Sequence, residues 1–209
     1  MGFPVLCHSF IWKPFGIRIN FLNHMEKEME QPSPIIPITT PEGILSYLSG
    51  LGIASRTVEH RAVFTVAEGV DVKENIPGAH TKNLFVKDKK GKLFLITAKD
   101  YTAINLKKTH ETIGASGRLS FCTEEQMSHF LGVTPGSVTP LAIVNDRDLK
   151  VSMILDANLM DYDVINCHPL INTMTTSLNR ADLLAFLEKT GHPPHIVTLP
   201  EPVDHPPSS

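Results

Sequence analysis

Apolar and polar positions alternate in two different rhythms along this chain, and the rhythm changes at punctuating residues. Thr40-Pro41 offers a helix N-cap followed by proline at the first helical position, and Ile44, Leu45, Leu48 and Leu51 continue at helical spacing. Gly50 and Gly52 close that helix. A short strand is expected from Arg56 to His60. Thr65-Val-Ala-Glu68 then has the form of a capping box, opening a short helix that ends before Pro77-Gly78.

The clearest strand pattern follows. Leu84 to Lys87 and Leu93 to Thr97 are rich in Leu, Phe, Val and Ile, and Asp88-Lys-Lys-Gly91 between them predicts a hairpin. A second capping box, Thr123-Glu-Glu-Gln126, opens a helix towards Leu131-Gly132. Leu141 to Val144 and Val151 to Leu155 read as another hairpin, with Asn145-Asp-Arg-Asp148 in its turn. Asn179-Arg-Ala-Asp182 caps a last helix carrying Leu183, Leu184 and Leu187, and Ile196 to Leu199 adds a final strand. Hairpins interspersed with helices predict an α+β domain.

The ends differ from this pattern. Residues 1–37 read as an N-terminal extension and linker, in which Gln31-Pro-Ser-Pro-Ile-Ile-Pro37 excludes regular structure. Residues 1–24 resemble neither a signal nor a transit peptide, so Met25-Glu-Lys-Glu-Met is the expected natural start. The folded domain is expected over 38–200, and the proline-rich stretch 201–209 as a mobile tail.

Composition narrows the function classes. A chain of 209 residues with 42% hydrophobic and 20% charged residues is long enough for a substantial core, and no stretch has the length of a membrane span. Three cysteines (Cys7, Cys122, Cys167) without CxxC spacing suggest reduced thiols in a cytoplasmic protein, not a disulfide framework or zinc site. No GxGxxG or Walker loop implies a nucleotide cofactor, and no metal or other cofactor is expected. The net charge is -3, yet the span from Lys82 to Lys108 holds eight lysines against Asp88 and Asp100. Such a cluster is either a solvated hairpin or a footprint for a phosphate backbone, with Lys87, Lys89, Lys90 and Lys92 as the candidate contacts. A negative total and the absence of any helix-turn-helix or finger pattern argue against a DNA-binding protein.

Three segments could carry chemistry. Lys82, at the start of the first hairpin strand, is either a surface lysine or a compact cation aimed into a cleft at a phosphate or carbonyl oxygen. Gly136-Ser-Val-Thr-Pro140 is either a rigid turn or a set of backbone N–H groups that bind a carbonyl or developing oxyanion. His168, after Cys167 and before Asn172, could transfer a proton, while Asn172 could orient a substrate amine or hydroxyl. Neighbouring side chains on a strand point to opposite faces, so Cys167 and His168 do not make a nucleophile pair.

Taken in order, His60…Phe64-Thr65…Glu68, Thr81-Lys82-Asn83-Leu84-Phe85, Gly136-Ser137-Val138-Thr139-Pro140 and His168-Pro169-Leu170…Asn172 resemble the YbaK/prolyl-tRNA synthetase-associated domain family. The match is strongest to its free-standing alanyl-tRNA(Pro) deacylase branch and spans roughly residues 38–200. The resemblance implies a curved mixed β-sheet or barrel core with surrounding helices. It implies hydrolysis of the ester joining a wrong amino acid to the 3′ end of tRNA. Lys82 then matches the active-site lysine that engages the terminal adenosine or its phosphate, and Gly136 to Pro140 the GxxxP loop that positions the aminoacyl carbonyl. His168, Asn172 and Asn83 would line the pocket. The implied partner is the acceptor end of tRNA(Pro), and prolyl-tRNA synthetase is a further candidate. Two alternatives stay open: a deacylase for another mischarged tRNA (Ser or Cys), and a non-catalytic tRNA- or synthetase-binding module.

Overall fold

Each element starts where local chemistry sets it. In this computed structural model, which describes residues 36–62 and 75–202, all the elements belong to the unit Pro37–Ser209. The Thr65–Glu68 capping box and Phe64 lie outside the described residues. Helix α1 (Pro41–Gly50) starts as expected: Thr40 Oγ1 accepts the Gly43 N–H at 3.1 Å, and Ile44 and Leu48 are buried. Strand β1 is Ser55–Glu59, β2 Ala79–Lys87 and β3 Leu93–Lys99. Between β2 and β3 the turn is held by Asp88. Its Oδ1 accepts the N–H groups of Lys90 (2.8 Å) and Lys92 (3.0 Å), and its Oδ2 that of Ser116 (2.8 Å). The Ser116 N–H leads the donors that hold this carboxyl below the usual range.

Helix α2 (Leu106–Thr112) and the two-residue strand β4 (Ser120–Phe121) precede α3 (Glu124–Leu131). The α3 capping box is present in full, and Gly132 ends the helix at φ +65. Then follow a 3-10 helix (Pro140–Asn145), β5 (Val151–Asp156), a second 3-10 helix (Ala157–Asp161), β6 (Val164–Cys167), β7 (Met174–Asn179), α4 (Arg180–Lys189) and β8 (His195–Val197).

The strands form a mixed sheet in the order β1-β7-β6-β2-β3-β5-β8, with β4 also paired to β2. The pairs β2–β6, β3–β5 and β5–β8 are parallel and the others antiparallel. The expected α+β class with a mixed sheet and surrounding helices is thus observed. Strand alternation divides the interior in two. Phe85, Leu95, Met153 and Leu155 face a large core shared with Ile44, Leu48, Leu131, Leu183 and Phe186 from the helices. Val86, Phe94, Ile96 and Ile154 face a smaller one closed by Ile113, Leu119 and Leu199. Burial on both faces explains why β3 opens with the unbroken apolar run Leu93 to Ile96.

Two expectations need correction. Leu141 to Val144 is not a strand but part of the 3-10 helix, because Thr139 caps it, Pro140 occupies its first position, and Leu141 to Val144 are all buried. A short apolar run has no period that separates helix from strand. Val151–Asp156 therefore has no hairpin partner there and lies parallel between β3 and β8. Second, β2 begins at Ala79, so Lys82 lies within the strand and not at its start.

One buried polar contact ties the last turn of the chain to the middle. His192 Nε2 meets Asp146 Oδ2 at 3.1 Å, both side chains almost fully buried, and the N–H groups of Val151 (2.6 Å) and Lys150 (3.1 Å) complete the carboxylate. Burial pushes the Asp146 pKa up, but the His192 contact and the two N–H groups outweigh it, leaving the pKa below the ordinary 3.8. A depressed carboxyl pKa adds stability above the unfolded value, lost as pH falls through the folded value. Asp146→Ala is expected to cost about 3–5 kcal/mol in urea unfolding at neutral pH. The gap to the unsubstituted chain should shrink as pH drops below 3.8; a gap independent of pH would contradict this account.

Candidate functional site

Strand β2 changes partners along one edge. β3 runs beside the other edge from Thr81 to Lys87. On the changing edge, β6 pairs with Ala79 and His80, and β4 with Val86 and Lys87. Thr81 Oγ1 still donates to Asn166 O at 2.9 Å, and Phe85 O accepts from Cys122 N at 3.0 Å. Lys82, Asn83 and Leu84 therefore sit at an opening in the pairing of this edge, between β6 and β4.

Lys82 and Asn83 point to opposite faces of β2, as consecutive strand residues must. Lys82 shares the face of Val86 and the smaller core. Its Nζ donates to the carbonyl of Thr102, in the loop after β3. Burial lowers the Lys82 pKa below 10.5, and the negative charges of Asp100 and then Asp156 oppose that shift. Both carboxylates are buried.

Asn83 faces the other way and holds the loop. Its Nδ2 donates to Val138 O at 2.9 Å, while Thr97 Oγ1 donates to its Oδ1 at 2.7 Å. Both ends of the amide are thus used within the protein, and the Gly136–Pro140 loop is fastened to β2 through Asn83, not through Lys82. Within that loop Gly136 takes φ +86, a left-handed conformation that favours glycine, and Ser137 N donates to Thr134 O at 3.0 Å. Thr139 and Pro140 are buried and start the 3-10 helix, so the accessible part is Gly136 with half-buried Val138.

His168 follows β6 directly. Its Nδ1 lies 3.1 Å from Met174 O, so in the neutral ring the proton sits on Nδ1 and Nε2 is the acceptor. The parallel pairing of β6 with β2 covers Ala79–Ile165 and His80–Asn166, and His168 comes two residues after Asn166. Asn172 lies half-buried in the β6–β7 connection. Beside them, buried Asn166 uses Nδ2 on Pro77 O (3.2 Å) and accepts Ser177 Oγ (2.6 Å), which aligns β6, β7 and the segment before β2. His60 Nε2 lies 2.9 Å from Thr175 Oγ1 on the same three-strand region.

The lysine-rich hairpin is separate from this opening. Lys87 Nζ donates to Gln126 Oε1 at 2.9 Å, whereas Lys89, Lys90 and Lys92 are exposed at the tip. Five strand residues from Lys82 to Lys87 span about 17 Å. These lysines cannot share one phosphate with Lys82, though they could meet a longer backbone. The remaining chemistry is quiet. Burial pushes the Cys167 thiol to about 12 and that of Cys122 to about 11, so neither is a thiolate near neutrality. Among the described residues no group of three or more His, Cys, Asp or Glu is placed to hold a metal ion. No helix there is long and apolar enough to cross a membrane.

Sequence reasoning missed Thr97, Asp100, Thr102, Asp156 and Asn166. Only Asp156, a carboxylate ending the apolar run Val151–Leu155, carried any signal.

The chain is similar to known proteins in sequence and fold. The model of the aminoacyl-tRNA editing domain matches residues 60–186. "Prolyl-tRNA synthetase associated domain-containing protein 1" of Danio rerio is 35% identical over 167 residues, covering 79% of this chain and 90% of the relative. The protein of that name from Bos taurus is 39% identical over 156 residues, covering 73% and 91%. "Prolyl-tRNA editing protein ProX" of Acetoanaerobium sticklandii is 31% identical over 154 residues, covering 72% and 92%. A crystal structure described as a candidate trans-editing enzyme for prolyl-tRNA synthetase shares the fold. Its TM-score is 0.59 at 20% identity, covering 81% of this chain and all of that one. The chain belongs to the aminoacyl-tRNA editing domain family.

Proposed function

We propose that this protein is a trans-acting deacylase that hydrolyses mischarged Ala-tRNA(Pro). The observation that supports the reading is the middle of β2, which carries Lys82 and anchors the Gly136–Pro140 loop through Asn83, in a chain of the aminoacyl-tRNA editing domain family. The likeness to a relative named as a prolyl-tRNA editing protein supports the choice of tRNA.

An aminoacyl ester is already activated, so the reaction needs no covalent nucleophile. Water adds to the ester carbonyl, the bond from that carbon to the ribose oxygen breaks, and alanine and tRNA with a free hydroxyl leave. Holding the carbonyl, excluding bulk water and stabilising the developing oxyanion supply the acceleration, with a ribose hydroxyl of the substrate assisting. Lys82 engages the 3′-terminal nucleotide as a donor. The backbone N–H groups of Gly136 and Val138 face the carbonyl, while the Ser137 N–H on Thr134 O and buried Thr139 and Pro140 hold the loop in shape. Asn83 acts by holding this loop. His168 Nε2, the acceptor of its neutral ring, takes or orients a proton, and Asn172 contacts the substrate amine or hydroxyl.

Alanine passes and proline is refused by size. Excluding a ring that does not fit is easier than rejecting a smaller side chain, where each methylene gives only about 1–3 kcal/mol. Lys89, Lys90 and Lys92, with Lys87 behind them, attract the tRNA backbone further along the stem. The site of action is the cytoplasm, with prolyl-tRNA synthetase as a partner that delivers the mischarged tRNA.

Three measurements test this. The full chain incubated with Ala-, Ser- and Cys-charged tRNA(Pro) is expected to release alanine fastest; release of alanine no faster than in buffer would reject the assignment. Lys82→Ala is expected to lower kcat by about 10²–10³-fold, the usual loss for one preorganised donor, with tRNA binding retained. Equal loss of binding and hydrolysis would instead make Lys82 a docking residue. Asn83→Ala is expected to lower kcat at least tenfold with Lys82 intact, because Val138 loses its anchor, which single-turnover rates would show.

A further inference from the structure

Lys82 is held from behind by a short chain of contacts that starts at a buried acid. Asp156 ends β5 with no exposed surface. Its hydrogen bonds come from neutral donors: Asn158 N on Oδ1 at 3.4 Å, and Thr102 Oγ1 (3.2 Å) and Asn158 Nδ2 (3.4 Å) on Oδ2. A carboxylate taken out of water is costly unless a charge compensates it, and its charge acts on Lys82. Thr102 joins the two groups: its hydroxyl is anchored on Asp156, and its carbonyl receives the Lys82 ammonium. The anchored hydroxyl limits how the Thr102 peptide can turn, and so sets the direction in which Lys82 is held.

We propose that Asp156, acting through Thr102, is a positioning residue that holds the Lys82 ammonium at the opening beside β2. This rests on the reading of Lys82 as the side chain that engages the 3′ end of tRNA. Among the described residues, the charges that act on Lys82 are those of Asp100 and Asp156. Asp100 follows β3 and its Oδ1 accepts the Tyr101 N–H, and Asp156 ends β5. His80 on β2 donates from Nε2 to Ile76 O, Lys99 is turned to the Tyr162 hydroxyl, and His168 stands on the β6 side. Asp100 stays in place when Asp156 is changed, so the effect of Asp156 can be isolated. Its negative charge opposes the loss of the Lys82 proton by burial. Removing that charge leaves burial less opposed, and Lys82 then gives up its proton at a lower pH.

The test uses the full chain with Asp156→Asn, Thr102→Val and Thr102→Ser, each checked for folding by circular dichroism. Acetic anhydride acylates only the neutral amine, so the pH midpoint of Lys82 labelling, read by peptide mass spectrometry, reports loss of the ammonium without any substrate. Asp156→Asn is expected to lower that midpoint by roughly 1 pH unit. Thr102→Val should move it the same way, and Thr102→Ser, which keeps the hydroxyl, should match the unsubstituted chain. The alkaline limb of kcat/KM on Ala-tRNA(Pro) should move with the labelling midpoint. Unmoved midpoints in folded Asp156→Asn and Thr102→Val overturn the proposal, and if Asp156→Asn does not fold, Thr102→Val decides alone. A midpoint that moves in a chain releasing no amino acid would sink the deacylase reading and leave the linkage standing. An active chain with unmoved midpoints would sink the linkage only.

Discussion

The site depends on one strand serving two partners along one edge. A strand paired along its whole length would bury its backbone in two ladders and leave only side chains to meet a ligand. β2 keeps β3 from Thr81 to Lys87, but gives its other edge first to β6 and then to β4. The division between those pairings leaves an opening in that edge. Alternation then sends Lys82 to one side and Asn83 to the other, so a two-residue stretch can place a cation and fasten a loop at once. A site mounted on a strand in this way is held more firmly than one carried by a loop alone.

The proposed chemistry is economical for a physical reason. An activated ester needs positioning more than it needs a strong nucleophile, and positioning is the task the proposal gives to the groups around the opening. Asn83 has both ends of its amide engaged, His168 has its tautomer set by a backbone carbonyl, and the two cysteines are held as thiols by burial. Buried polar networks give precision only when their members are satisfied, and those around Asn83 and Asn166 meet that condition.

Much of this was legible in the sequence. Thr40-Pro41 and Thr123-Glu-Glu-Gln126 announced their helices because capping is local chemistry that needs no tertiary partner. The hairpin around Asp88 was readable from its glycine and its flanking apolar runs, while Lys82 and the Gly136–Pro140 loop entered as candidates through family resemblance. The rest depended on distance in space. Leu141–Val144 is buried whether strand or 3-10 helix, so pattern could not choose. β6 and β7 carry Asn, Cys, Thr and Ser, which removes the apolar signature of a strand. Helix α2 buries only Thr109 and shows no apolar stripe. Thr102 and Asp156 are 54 residues apart, and nothing local in either segment reveals that they meet.

The parallel pairing of β8 with β5 has a consequence for how the protein is made. β5 sits between β3 and β8, so an internal strand of the sheet is completed only by residues His195–Val197. The Asp146–His192 contact adds a second tie from the same region. Parallel pairing across so long a stretch of chain must close a large loop before it gains any contact, which slows folding. During synthesis, β3 and β5 would leave the ribosome with an open edge that stays unpaired until the last strand emerges. The interval in which this apolar edge is exposed is therefore set by translation, in a protein whose family serves the accuracy of translation itself.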